Sequence, residues 1–525
     1  MTSSLGQPKI FLREASGLLR SLTAFEGALI ALSQLNFVMG LMELYAWGSI
    51  TVSQANYPIA MLISVPLVSI LGIMYVLFGI IMPRSGGDYV WVSRGLHPSL
   101  GLMVSGFMTF LALAWTGLNA WLVGNVFLPG FFFALGLNDL AQIVAQPVNS
   151  FIIAIVCIIA FTIAFIPRTK VVALVLKALF VATFVGWVAL VLTAIFPTWT
   201  LGQVLASQYH VDPSAVISQA QSSGYVPGWT LIGSAAALPW AMQMWGGFWW
   251  APYAGGEIQN PKRSMWIAVL GATYIAITLY AILTLLIPNA FGFDLPIALN
   301  YLYGANASAY PAGLPPPYIG YLFAMVTNNQ VLRVLGGFGW LASILFIIPS
   351  GYFVVTRNFF AWSFDRVFPE PIATVSERFH TPVVSTIITG GLLCVMAYLT
   401  AFTSFWGYLV NLMIGLNFAF IVVSIAAIIF PYKQKELYQK SPIANWKFMN
   451  IPLITLIGVA SLLVSGFLEY TVLSYPALGG AITWASIGSV VGVLVFGLVV
   501  YFIFKVYRAR QGIELRLVFG EVPPA

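Results

Sequence analysis

The sequence predicts an all-α membrane protein of twelve transmembrane helices, two of them interrupted within the bilayer. Three observations predict it. The 525 residues are 60% hydrophobic and only 7% charged, with a mean hydropathy of +0.93, more apolar surface than a soluble core can hide. At about 20 apolar residues per crossing, candidate spans fall near 29–50, 58–82, 100–129, 150–167, 171–196, 230–253, 264–288, 330–356, 382–401, 404–430, 451–473 and 480–505. All but Lys177 and Arg333 of the 22 lysines and arginines fall in segments that twelve crossings with a cytoplasmic N-terminus place inside, which is the asymmetry that sets topology. The protein is therefore expected in the cytoplasmic membrane with both termini cytoplasmic. The net charge of +7 reflects that topology, so no nucleic-acid partner is implied.

The chain divides accordingly. Residues 1–28 form a polar cytoplasmic segment, 29–430 a core of ten helices, 431–450 a cytoplasmic loop, 451–505 two further helices and 506–525 a cytoplasmic tail. Span 1 is polar at its centre, with Ser33, Gln34, Asn36 and Gly40, then Glu43. A carboxylate inside the membrane costs about 2–3 kcal/mol at the helix centre, so Glu43 must face protein or water. It is either a satisfied group near the outer interface or a gating or coupling residue. Lys177 sits two turns into an apolar helix, where it snorkels to the inner surface or reaches a polar cavity. Cys157 and Cys394 lie inside spans as small buried hydrophobes. The aromatic and charged segment that follows Arg357, NFFAWSFDRVFPEPIATVSERFHTP, is expected to form a short helix at the inner surface.

Two spans do not read as plain helices. Span 6 carries Met244-Trp245-Gly246-Gly247 near its middle before a second half-helix and an exit through Gly255-Gly256-Glu257. Each glycine costs a helix interior about 1 kcal/mol, and broken backbone in lipid survives only where protein buries it or a cavity faces it. Span 1 is similarly interrupted near Asn36–Gly40. Interruptions in corresponding spans of two five-helix halves point to an inverted repeat with a midplane site.

Three motifs carry a resemblance to the amino acid–polyamine–organocation (APC) superfamily of permeases. Pro83-Arg84-Ser85-Gly86-Gly87-Asp88-Tyr89 with Ser93-Arg94 is similar to that family's loop after helix 2. Gly247-Phe248 followed by Glu257 and Asn260-Pro261-Lys262-Arg263 resembles its helix 6 exit. Thr356-Arg357, then Asp365-Arg366-Val367-Phe368-Pro369 and Thr381-Pro382, is similar to its segment after helix 8. The resemblance implies a LeuT-like 5+5 inverted repeat plus two C-terminal helices, with discontinuous helices 1 and 6. It implies a substrate site at Phe37, Val38, Met39 and Gly40 of helix 1 and at Met244, Trp245, Gly246 and Gly247 of helix 6. Trp245 or Phe248 would serve as an aromatic lid. Lys177 matches a helix 5 lysine of proton-coupled members, and Ser350 lies near a helix 8 hydroxyl of sodium-coupled ones.

The expected function is alternating-access transport of an amino acid, neutral or hydrophobic, driven by a proton gradient. A sodium gradient, or exchange of another small amine or organocation, is the alternative, and a transporter-like nutrient sensor is the alternative of a different class. No cofactor or metal is implied beyond the ion gradient, the partners are the small-molecule substrate and membrane lipid, and the oligomeric state is left open. An enzyme is not expected, because His97, His210 and His380 lie in separate loops and form no ligand cluster.

Overall fold

The computed structural model describes residues 17–244, 246–474 and 484–521. Among them eleven helices are long and apolar enough to cross a membrane. The first crossing is built from α1 (Ala24–Leu35) and α2 (Met39–Thr51). Thr23 and Glu26 start α1 as a capping box, each side chain accepting from the other's backbone N–H, which satisfies two amides that the first turn leaves orphaned. Asn36 ends it, with φ 22°, a conformation asparagine tolerates better than most side chains. Its Oδ1 then accepts from the amide of Met39 at 3.1 Å, so one residue closes a helix and caps the next.

There follow α3 (Tyr57–Ile81), a short α4 (Asp88–Gly95), and α5, which runs Pro98–Ala134 through a π turn at Val123–Phe127. Next are α6 (Pro147–Phe165) and α7 (Thr169–Ile195). The sixth segment has only α8 (Leu231–Ala236) and α9 (Leu238–Met244), each too short to cross. The second half-helix expected there is replaced by turns over 246–250 and a single 3-10 turn at Ala251–Tyr253. Two glycines at its start, Pro252 inside it and two glycines after it remove the hydrogen bonds and backbone restraint an α-helix needs.

The remaining helices are α10 (Pro261–Phe291), α11 (Gln330–Phe364), α12 (Val383–Phe402), α13 (Leu412–Lys433), α14 (Leu453–Ser474), α15 (Trp484–Arg510) and the tail helix α16 (Leu515–Gly520). The segment after Arg357 corrects the expected short surface helix. It continues α11 to Phe364 with Phe359, Phe360, Trp362 and Phe364 all buried, and the Trp362 indole donates to Ser105 Oγ at 2.8 Å. Its first aromatics are core residues and Asp365 pairs inside with Arg94, whereas Glu370, Glu377 and Arg378 beyond are exposed and only a 3-10 turn, Glu370–Ala373, forms there.

Helices α7 and α11 pack along each other. At their crossing Gly186 meets Gly339 backbone to backbone, where a Cβ on either would lie 2.2 Å from the other's Cα. Small residues that admit such approach are the usual device of helix contact in lipid. Helix α14 lies against α13 and α3, and α15 against α5. Arginine and lysine gather at one end of the bundle, hereafter the basic face. Short helices at Leu201–Gln208, Pro213–Ser222, Asp294–Ala305 and Ile319–Met325 cover the opposite face.

Candidate functional site

The interruption between α1 and α2 is held by side chains from two other helices. Tyr280 of α10 donates to the carbonyls of Leu35 and Asn36, at 3.1 and 2.6 Å, and the Asn36 amide donates to the Ser343 carbonyl of α11. Carbonyls at a helix end have no partner within the helix, so these contacts make the break an ordered feature. The broken sixth segment abuts it. A Cβ on Gly247 would lie 2.6 Å from the Ala31 carbonyl oxygen and 2.7 Å from the Leu35 nitrogen, and only glycine lets the two backbones touch.

Beside this contact lies a cavity of about 40 Å³, lined by Gln34, Leu35, Asn36, Met39, Gly40, Glu43, Leu111, Trp115, Gly246, Trp249, Trp250, Tyr280, Ile347, Met413 and Leu416. At ~10–15 Å³ per water it holds about three. Glu43 is its one carboxylate, 8% exposed, and among the described residues no protein group donates a hydrogen bond to it. Glu43 thus forms part of the cavity wall. A second cavity of about 300 Å³, on the side facing away from the basic face, shares Trp115 and is ringed by Trp47, Trp121 and Trp240. Trp47 bridges Trp115 and Trp240 at centroid distances of 6.0 and 6.2 Å.

Toward the basic face the cavity has a packed base. Trp249 stands on Phe420 at 5.0 Å, and Phe248 packs on Tyr75 at 5.6 Å, which in turn meets Trp91 of α4 at 5.4 Å. Beneath, charges from separate sequence motifs pair off. Arg357 of α11 grips Glu257 with Nε at 2.7 Å and Nη2 at 2.9 Å, and Thr169 of α7 donates to the same carboxylate at 2.8 Å. Arg94 of α4 forks onto Asp365 at 2.6 and 2.8 Å, while Phe519 of α16 covers the guanidinium at 5.0 Å. All four partners of these two ion pairs are buried.

Asp88 completes the base. Fully buried, it accepts from the hydroxyls of Tyr253 at 2.7 Å and Tyr75 at 3.4 Å. Burial pushes its carboxyl up to about 7, against those hydrogen bonds, which favour the charge. An unfolded chain releases that proton near ~3.9. Between these values the folded protein keeps a proton that the unfolded chain has lost, so this group's contribution to stability falls as pH rises from about 4 through 7. Thermal unfolding followed by intrinsic fluorescence is expected to show the wild type losing stability relative to Asp88→Asn between pH 5 and pH 8. A difference between the two proteins that stays constant across that range would remove Asp88 from the account.

The residues singled out in the sequence are distributed as follows. Met39, Gly40, Glu43 and Gly246 line the central cavity, and Gly247 forms the contact behind it. Phe37 and Val38 are buried away from the cavity lining, Phe37 against Phe180 at 6.0 Å. Phe248 packs in the base. Met244 ends α9, and Trp245 lies outside the described residues. Lys177 pairs with Glu26 at 2.6 Å, its side chain 44% exposed, at the opposite end of α1 from the cavity. Ser350 donates to the Ile347 carbonyl at 2.6 Å and to Gln34 Oε1 at 3.1 Å, so it touches a lining residue.

A family model described as amino acid permease matches residues 28–499. The chain belongs to this family. The match covers nearly the whole chain and places the permease in the APC superfamily, a family of membrane transporters of amino acids. The permease's three motifs are now explained physically. Their buried charged residues make the base rather than the cavity, since Arg94 meets Asp365 and Glu257 meets Arg357 across the chain, while Lys262 and Arg263 stay exposed. What the sequence reading missed are the walls, namely Trp115, Trp249, Trp250, Tyr280 and Met413. Trp115, Tyr280 and Met413 are apolar or aromatic residues in apolar helices, where nothing in periodicity separates a wall from a packing residue, and Trp249 and Trp250 lie in the turns that replace a helix.

Proposed function

We propose that the permease is a secondary active transporter that moves an amino acid across the cytoplasmic membrane by alternating access. The reading takes the chain as a 5+5 inverted repeat plus two helices, with twelve crossings, the sixth made by the broken segment, and both termini cytoplasmic. The observation that carries it is Glu43 facing a cavity bounded by the helix 1 interruption and Gly246. In this reading the substrate ammonium sits at Glu43. The substrate carboxylate lies toward Met39 and Gly40, at the positive end of the α2 dipole. Trp115, Trp249 and Trp250 wall the site with indoles, which favours a neutral, hydrophobic side chain, and the three-water cavity has to widen to admit one.

The proton is the proposed coupling ion, with Lys177 exchanging it through its pair with Glu26. A second reading, a small amine or organocation without a carboxylate, rests on the same carboxylate and indoles, because indole faces attract cations. Uptake of a radiolabelled panel of amino acids and simple amines into proteoliposomes tests both. Runs compare an inward proton gradient, an inward sodium gradient and neither, with wild type and Lys177→Ala. Proton-driven amino-acid uptake lost in the variant is the expected result. Sodium-driven uptake that survives the substitution would move coupling to Ser350. Uptake of amines alone would replace the substrate, and no uptake would end the transport reading.

A further inference from the structure

At the basic face a groove of about 720 Å³ opens between the end of α3, the start of α10 and the loop before α14. Arg20, Lys262 and Arg263 supply three cations to its wall, Asn260 an amide, and Trp266 and Trp446 two indoles with ring centroids 6.4 Å apart. Among the described residues no carboxylate lines it and none of the three cations has an ion-pair partner. The transport reading makes no use of it.

The surroundings identify the phase that bathes it. On α10, Ile267 at the groove's wall and Tyr274 and Ile275 beyond it are exposed, and this outward apolar stripe runs into the membrane-spanning part of the helix. On the other flank a two-residue hairpin, Lys447–Phe448 paired with Ile451–Pro452, turns through Met449 and Asn450, both at positive φ. It leaves Phe448 and Met449 60% and 81% exposed. A water-facing turn does not present phenylalanine and methionine at its tip, whereas one that dips into the acyl–headgroup boundary does. Tryptophans concentrate at that same depth. Cations, paired indoles and an apolar stripe thus occupy the levels of a phosphate, a glycerol backbone and an acyl chain.

We propose that this groove is a binding site for an anionic diacyl phospholipid of the leaflet at the basic face. The headgroup phosphate sits among Arg20, Lys262 and Arg263, its glycerol region lies against Trp266 and Trp446, and one acyl chain follows the exposed stripe of α10. Basic pockets between membrane helices recognise headgroups by this combination of charge and shape. Because α10 also supplies Tyr280 to the helix 1 interruption, lipid in the groove braces the helix that holds the substrate cavity in shape.

The test is native mass spectrometry of the purified permease titrated with phosphatidylglycerol, phosphatidylcholine or free glycerol 3-phosphate. The wild type is compared with Lys262→Gln/Arg263→Gln and with the charge-keeping Lys262→Arg/Arg263→Lys. Saturable binding of phosphatidylglycerol is expected, at least tenfold weaker in the Gln variant and retained in the charge-keeping one. These side chains are exposed, so the variants should fold, and an unchanged melting temperature in detergent checks that they do. Equal binding of phosphatidylcholine, or phosphatidylglycerol binding unchanged in the Gln variant, overturns the proposal. Glycerol 3-phosphate competing as well as the lipid would make the groove a soluble-phosphate site and overturn the lipid assignment. None of these outcomes depends on uptake, so the site can fail while the transport reading stands, and the reverse.

Discussion

Replacing Glu43 with glutamine is expected to lower amino-acid uptake by 10- to 100-fold while leaving the folded protein at least as stable as the wild type. A hydrogen bond to a charged group contributes about 1.5–3 kcal/mol, which corresponds to one to two orders of magnitude in kcat/KM when the ammonium loses its anionic partner. Stability should not fall, because no described side chain donates to this carboxylate and an amide is cheaper to bury than a charge. A damaged fold and a damaged site are thereby separated. The measurement is initial uptake in proteoliposomes at matched protein density, with melting temperature recorded on the same preparations. Glu43→Asp should retain part of the activity, since the charge remains and only its reach shortens. Wild-type uptake by the glutamine variant would show that the carboxylate is a bystander in the cavity wall.

Arg357→Ala is expected to act in the opposite way, destabilising the whole bundle. The guanidinium and Glu257 are both buried and joined by two hydrogen bonds, and removing one partner leaves a lone charge in a dry interior, at a cost of about 3–5 kcal/mol. Fluorescence-detected size exclusion after a heat step should show the melting midpoint falling by about 3–5 °C. Arg357→Lys should rescue little, because an ammonium cannot reproduce the paired fork. The double change Glu257→Gln/Arg357→Met should recover much of the loss by leaving no unpaired charge. An Ala variant that melts with the wild type would show that the ion pair contributes nothing to holding the base.

How much of this was legible beforehand depends on the kind of residue. The helices were readable because lipid demands long apolar runs, and most bounds agree with the observed helices within a few residues. The sixth segment was readable only as a disturbance. Glycine pairs announce that a helix fails but not what replaces it, and turns stand where a half-helix was expected. The tract after Arg357 misled because charged and aromatic residues in sequence suggest an interface. Asp365 is nonetheless buried, its charge cancelled by Arg94 more than 250 residues earlier, a pairing that no local pattern encodes. Glu43 could be recognised as out of place in lipid, but only the fold brings it to the cavity, beside Tyr280 from α10 and Gly246 from the broken segment.

The short helix α1 is fastened to the α7–α11 pair at two points, by Glu26 to Lys177 near its start and by Gln34 to Ser350 near its end. Eight residues separate them, about 12 Å at 1.5 Å per residue. The glycine crossing of Gly186 and Gly339 leaves α7 and α11 no room to move closer, so the two anchors sit on one closely packed frame. A rod clamped at two points on a rigid frame cannot swing until one clamp opens. At the Gln34 end Ser350 is fully buried, whereas Lys177 is 44% exposed, and ion pairs reached by water hold weakly, about 0–1 kcal/mol. The Glu26 end is therefore the weaker of the two clamps, and α1 is held more firmly at the end beside the cavity.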